Sequence, residues 1–226
     1  MKYDVITLFP EVIESYCNYS ITKRGIDSGI ISVETHNPRD YTKDKHKKVD
    51  DTPYGGGDGM VLACQPIVDC YNSIERAENS AFIMLSPQGE KFSQKISKEL
   101  AEYEQIILLC GHYEGFDERI RLLLKPREIS IGDYVLTGGE LASLVIIDSV
   151  SRNIDNYLNK EGSAHFDSFS EGLEGLLEYP QYTKPREYMG LKVPDILLNG
   201  NHKEIAEFRK TESLKRTKAR RPDLLN

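Results

Sequence analysis

The chain has 226 residues, with 36 acidic and 29 basic side chains, a net charge of −7 and 39% apolar residues. That length can bury a sizeable core, and the balance excludes wholesale disorder. No apolar run approaches the roughly 18 residues of a membrane span, and the opening MKYDVITLFPEV lacks the layout of a signal peptide. Cys17, Cys64, Cys70 and Cys110 form no CxxC pair and no Cys/His cluster. A structural zinc site and a disulfide framework are therefore unexpected, and reduced thiols in a cytoplasmic protein without a membrane partner are the expectation.

In chain order, Tyr3 to Phe9 reads as a strand and Pro10 as a first helical residue, with Val12, Ile13, Tyr16 and Cys17 at helical spacing. Ala81 to Leu85, Gln105 to Cys110 and the shorter Glu128 to Ile131 are further strands, and their continuous apolar character suits a parallel sheet covered on both faces. Ile96, Leu100 and Tyr103 repeat at i, i+4 and i+7 behind a Ser93 cap, and Glu140 to Ile154 is apolar almost all round. Alternation of strand and helix predicts an α/β fold. From about Asp155 to Gly175 the chain turns polar and aperiodic, which reads as a mobile linker or lid. From Asn201 a helical tail carries Lys203, Arg209, Lys210, Lys215, Arg216, Lys218, Arg220 and Arg221 against Glu204, Glu207, Glu212 and Asp223. The expected organisation is a domain over 1–154, a linker or lid over 155–175 and a small basic helical domain over 176–226.

Three glycine-bearing loops each follow a predicted strand: Ser86-Pro87-Gln88-Gly89, Gly111-His112-Tyr113-Glu114-Gly115 and Gly132 to Gly139. Turns favour glycine in any protein. At successive strand ends of an open parallel sheet, however, such loops converge on the ligand crevice. They carry Glu90, Glu114, Asp133 and Glu140 against Lys91 and His112. That balance disfavours a polyphosphate and fits a ligand with positive charge, such as S-adenosylmethionine. A second cluster, Pro53-Tyr54-Gly55-Gly56-Gly57-Asp58-Gly59-Met60, follows the basic run Lys43 to Lys48 and lacks GxGxxG spacing, so a Rossmann reading fails. Adjacent cations there suit a phosphate backbone, or mark a solvated loop. Taken singly, Arg152 reads as an ion-pair partner of Asp148, and Asp167 as a solvated carboxylate.

PYGGGDGM, SPQG, CGHYEGFDERI, SIGDYVLTGGE, IDSVSR, DSF, LLEYPQYTKP and SLKRTKARRPDLL occur in order along nearly the whole chain. Together they resemble the bacterial tRNA (guanine-N1)-methyltransferase family, of TrmD type. The resemblance implies an α/β fold of the SPOUT class, with a mostly parallel sheet, S-adenosylmethionine bound at a deep trefoil knot, and a small helical C-terminal domain. It implies an obligate homodimer that methylates N1 of the guanosine just 3′ of the tRNA anticodon (position 37), with magnesium implicated.

Residue by residue, Pro87, Gly111, Glu114, Ile131, Gly132, Asp133, Tyr134, Val135, Leu136, Gly138 and Gly139 match the family's cofactor contacts. Arg152 matches its catalytic arginine and Asp167 its proposed general base. His46, Tyr54, Lys215, Arg216, Arg220 and Arg221 fall where tRNA is handled, and no metal ligand is assigned. The chain departs from the pattern at His112, where arginine is common, and at SEGLEG, a few residues longer than usual. The weighed alternatives are another knotted RNA methyltransferase with a different target nucleotide, a non-catalytic RNA-binding module, and a small-molecule enzyme that would leave the basic tail unexplained.

Overall fold

The computed structural model describes residues 1–158 and 165–225. The chain divides into two compact units, Met1–Leu158 and Asn159–Asn226. The division falls inside the stretch expected as a linker. Residues 159–164 of that stretch lie outside the described residues.

The first unit runs β1 (Lys2–Ile6), α1 (Pro10–Cys17), α2 (Ser20–Asp27), β2 (Ser32–His36), β3 (Asp50–Asp51), β4 (Val61–Leu62), α3 (Cys64–Ser73), β5 (Ser80–Lys91), α4 (Gln94–Leu100), β6 (Gln105–Leu109), α5 (Glu118–Leu124), β7 (Arg127–Ser130) and α6 (Glu140–Ser151). Five strands form one sheet in the order β2-β1-β6-β5-β7, with every pairing parallel. Strand periodicity sends alternate side chains to opposite faces. Tyr3, Val5, Ile83, Leu85, Ile106 and Leu108 pack with Ile13 of α1, Ile96 and Leu100 of α4, and Ile146, Ile147 and Val150 of α6. Ile6, Met84, Ile107 and Leu109 pack on the other face with Ile67 and Cys70 of α3 and Ile120 of α5. With both faces covered, the central strands need no polar side, and β6 is buried at every position.

The structure refines several expected boundaries. Strand β1 stops at Ile6, because the Thr7 side chain turns the chain by accepting the Phe9 N–H at 2.9 Å. Strand β5 runs on through the SPQG motif. Its pairing with β7 breaks after Leu85 and resumes at Glu90, so Ser86 to Gly89 bulge from the ladder. Helix α6 ends at Ser151, and residues 155–158 remain in this unit, where buried Tyr157 donates its hydroxyl to Thr22 at 3.4 Å.

The second unit contains a hairpin of β8 (Glu187–Tyr188) and β9 (Leu191–Lys192) and the long helix α7 (His202–Arg220), capped by the Asn201 side chain on the Glu204 N–H. Leu177 is pinned to α7 from both sides. Its N–H donates to Thr217 Oγ1 at 3.0 Å and its carbonyl accepts from Ser213 Oγ at 2.6 Å. Of the stretch expected as a lid, residues 165–175 form a tight turn. Ser170 Oγ donates to the His165 carbonyl at 2.6 Å, Phe169 N–H donates to the Leu176 carbonyl at 2.9 Å, and Gly175 N–H donates to the Ser170 carbonyl at 2.9 Å.

Candidate active site

The bulge of β5 and the carboxyl ends of β6 and β7 open into a cavity of about 440 Å³, and the walls come from the three glycine-bearing segments. Ligand crevices in parallel sheets form at such strand ends, and this volume lies within the range of small-molecule sites. Pro87, Gly111, Glu114, Ile131, Gly132, Tyr134, Val135, Leu136, Gly138 and Gly139 all line it, as do Ser86, Gln88, His112 and Thr137. Sequence reasoning missed Phe116, Arg121 and Ala142, which also line it. The last two sit on helices whose facing only tertiary packing decides.

The walls stand so close because they are glycine. The Gly139 N–H donates to the Gly111 carbonyl at 2.8 Å, and a Cβ added at Gly139 would lie 2.7 Å from Cys110 Cα. A Cβ at Gly89 would strike the Glu128 and Ile129 backbone. The SPQG loop is thereby held against β7, and the TGG segment against the end of β6. His112 pairs with Gly138 as an antiparallel bridge and lies beside Phe9, with ring centroids 5.0 Å apart. Its Nδ1 is buried with no hydrogen-bond partner among the described residues. An orphaned nitrogen in a cavity wall is a polar atom that a ligand or water satisfies.

Asp133 departs from the expected contact set. Its carboxylate turns to solvent and pairs with Lys91 at 3.1 Å, both side chains being exposed. The expected acidic bias of the cavity is also reduced, because Glu90 and Glu140 do not line it and Glu118, which does, is ion-paired. Glu90 accepts from Arg127 Nε at 2.5 Å, and buried Glu140 accepts from Thr7 at 2.6 Å. Glu118 on the rim pairs with Arg121 at 3.0 Å. Among the described residues no ion pair engages Glu114 of the wall, whose side chain takes the space that a Cβ at Gly59 of the second glycine cluster would need. That cluster runs alongside the CGHYEG loop: Glu114 N–H donates to the Met60 carbonyl at 3.0 Å, and Leu62 N–H to the Gly115 carbonyl at 2.9 Å. Asp117 of the same motif serves α5, accepting the Arg119 N–H as a cap. The Arg119 guanidinium holds its carboxyl well below the usual carboxylate range.

Arg152 caps the C-terminus of α6, exposed, with its N–H on the Asp148 carbonyl at 3.3 Å. Asp148 itself accepts from the Tyr16 hydroxyl at 3.1 Å. Asp167 belongs to the second unit, in the turn whose Ser168 Oγ accepts the Glu178 N–H at 2.9 Å. His46 and Tyr54 lie on exposed loops outside the cavity, Tyr54 being wholly exposed. On α7, Lys215 pairs with Glu212 at 3.4 Å and Arg221 with Asp223 at 2.6 Å, whereas no ion pair engages Arg216 or Arg220 among the described residues.

The model of the family described as tRNA (Guanine-1)-methyltransferase TrmD matches residues 1–226. The chain belongs to this family. Among curated members, the tRNA (guanine-N(1)-)-methyltransferase of Caldicellulosiruptor saccharolyticus is 53% identical over 226 residues, covering 100% of this chain and 91% of the relative. The enzyme of the same name from Halalkalibacterium halodurans is 54% identical over 227 residues (100% and 91%), and that from Clostridioides difficile 53% over 227 residues (99% and 97%).

A tRNA methyltransferase of this family needs a site for S-adenosylmethionine as methyl donor, and the cavity fits one. It offers walls held in close backbone contact at Gly89 and Gly139, an orphaned buried nitrogen and the Glu114 carboxylate to face a cationic ligand. Magnesium finds no comparable cage. Among the described residues the one grouping of three possible ligands is Asp4, Glu34 and His36. There Asp4 already accepts from Lys2, His36 and Gln105, so the Lys2 ammonium occupies the place of a cation. No helix among the described residues is long and apolar enough to cross a membrane.

Proposed function

We propose that this chain transfers the methyl group of S-adenosylmethionine to N1 of the guanosine immediately 3′ of the tRNA anticodon (position 37). The observation that carries this reading is the meeting of the SPQG, CGHYEG and SIGDYVLTGGE loops at one cavity, in a chain that matches the family from end to end. Pro87, Gly111, Glu114, Ile131, Gly132, Tyr134, Val135, Leu136, Gly138 and Gly139 hold the donor. Asp133, which faces solvent, contributes by anchoring its loop through Lys91.

Guanine N1 carries a proton and is a poor nucleophile at neutral pH. Asp167 takes that proton as general base. Arg152, projecting from the end of α6, meets the negative charge that develops on O6, as donors of an oxyanion site do. The bound donor supplies an electrophilic methyl on a sulfonium. Attack by N1 on that methyl would release the sulfur as a neutral thioether, so what remains for the residues of the glycine loops is to hold the two partners in line. The target base must leave its stack to reach the cavity. His46, Tyr54 and the cations of α7 hold the RNA while it does so.

Further parts of this reading rest on the fold. The parallel order β2-β1-β6-β5-β7, with residues 132–139 running back against the end of β6, is compatible with a trefoil knot closing around the donor. Leu141 and Val145 of α6 and Val12 and Tyr16 of α1 leave an apolar face exposed, as expected of a homodimer interface. Four cysteines without a disulfide and a tRNA substrate fit the cytoplasm. No step of this reading is routed through magnesium.

The test is direct. The purified chain is incubated with isotopically labelled donor and tRNA, and the nucleosides are analysed by mass spectrometry. Labelled 1-methylguanosine next to the anticodon is expected, and a transcript with adenosine at that place should stay unlabelled. Label on another nucleoside, or none, overturns the reading.

A further inference from the structure

The second unit holds a cavity of its own, walled by Ser168, Leu177, Glu178, Tyr179, Arg216 and Arg220. Its construction explains several otherwise unrelated features. Ser213 and Thr217, both fully buried, clamp Leu177 onto α7, which seats the 176–179 segment along one helix face. Arg216 and Arg220 stand one turn apart beside that clamped segment. Ser168 Oγ ties the preceding turn to the same segment through the Glu178 N–H.

The charges on α7 are not equivalent. Lys210 pairs with Glu174 at 2.9 Å, Lys215 with Glu212 and Arg221 with Asp223, while Arg209 stacks on the Tyr179 ring at 4.7 Å. Arg216 and Arg220 have no such partner among the described residues, although Arg216 is half-buried. The one carboxylate in the wall, Glu178, accepts from Gln181 Nε2 at 2.6 Å instead. A partly desolvated guanidinium without a counterion is costly unless an anion completes it, and the planar fork suits two oxygens of a phosphate.

We propose that Arg216 and Arg220, with the Ser168 hydroxyl, clamp a single backbone phosphate of the RNA beside the nucleotide to be modified. Ser168 follows Asp167 directly, so an anion in this cavity fixes the strand next to the carboxylate that, on the functional reading above, deprotonates the base. The clamp positions substrate for Asp167 and performs no chemistry itself.

The experiment is a binding cycle on the full chain. tRNA carrying one neutral methylphosphonate linkage, placed in turn at each position around the target guanosine, is bound to wild type and to the Arg216→Gln/Arg220→Gln double variant across a salt series. The variant is expected to bind unmodified tRNA about tenfold more weakly, with a log–log salt slope shallower by about 1. Its melting temperature and S-adenosylmethionine affinity should be unchanged. One methylphosphonate, adjacent to the target, should reproduce the loss in wild type and add nothing in the variant. Arg216→Lys, which keeps charge but loses the fork, should recover only part of the affinity. A methylphosphonate penalty that persists in full in the double variant at every position overturns the clamp, as does an unchanged salt slope. Methylation of guanine N1 by wild type is scored separately by nucleoside mass spectrometry, so a failure of the functional reading leaves the binding cycle to decide the clamp.

Discussion

Thr7 and Glu140, 133 residues apart in sequence, share a 2.6 Å hydrogen bond in which the Thr7 hydroxyl donates to Glu140 Oε1. The pair joins the end of β1 to the first turn of α6 directly behind the TGG wall of the cavity. Glu140 is 7% exposed, and its carboxylate takes the space that a Cβ at Gly138 would need. Removing the Thr7 hydroxyl strands that carboxylate. Thr7→Val is expected to lower stability by about 1–3 kcal/mol, the cost of an unsatisfied buried acceptor. Urea denaturation measures it, and an unchanged midpoint would show that Glu140 finds another donor.

The close approach at Gly139 predicts a sharper effect on the site. Gly139→Ala must push the end of β6 and the TGG segment apart, at a cost of about 1–3 kcal/mol for overpacking. Calorimetric titration with S-adenosylmethionine should show at least a tenfold loss of affinity. A variant that binds the donor normally would mean that this wall is not part of the donor site.

An acid-sensitive element sits on β1. Burial pushes the Asp4 carboxyl up, but hydrogen bonds from His36, Gln105 and Lys2 outweigh it and hold Asp4 below the usual carboxylate range. A carboxyl with a depressed folded pKa contributes stability that is present above its unfolded value, about 3.9, and is lost as pH falls through the folded value. Asp4→Ala is therefore expected to cost about 1–3 kcal/mol at pH 7, because the part-buried His36 and the buried Gln105 lose their shared acceptor. The gap between variant and wild type should narrow as pH falls below about 4. Denaturation midpoints at pH 7 and pH 3 test this, and a constant gap would assign the loss to packing.

The thiols should be inert. Burial pushes Cys17 up to about 11 and Cys70 up to about 12, and it raises Cys64 and Cys110 as well. Since the thiolate is the reactive form, iodoacetamide at pH 8 should leave the native chain largely unmodified and label all four cysteines after denaturation, by intact-mass spectrometry. Fast native labelling of Cys110, at the end of β6, would mean that the site opens to solvent.

Arg152 and Asp167 fall in different compact units. Each single variant, Arg152→Ala or Asp167→Ala, is expected to lose 10²–10⁴-fold in rate. If the proposed homodimer builds each site from two protomers, mixed dimers of the two variants contain one intact site and regain a measurable fraction of turnover. Mixed dimers as inactive as their parents would place both residues in one protomer.

Periodicity and motif order revealed the parallel sheet, since long apolar runs such as Gln105 to Leu109 admit little else, and they marked the loops that meet at the cavity. They missed β2, because the SVETH segment is a half-exposed edge strand with no apolar run, and α2 and α5, whose buried positions (Thr22 and Gly25 in α2, Ile120 alone in α5) make no apolar stripe. The direction of loop carboxylates was not legible either. Asp133 sits in the motif yet faces Lys91, and Glu140 follows it yet is buried on Thr7.

On its own, the order of residues determined the class of fold and the family, because those depend on the local spacing of apolar residues and motifs. Which cations on α7 remain without a carboxylate, which nitrogen of the cavity wall is orphaned, and which acids are neutralised were decided only by the folded chain. Each depends on partners brought together from distant parts of the sequence, and pairing of charge acts through space, not along the backbone.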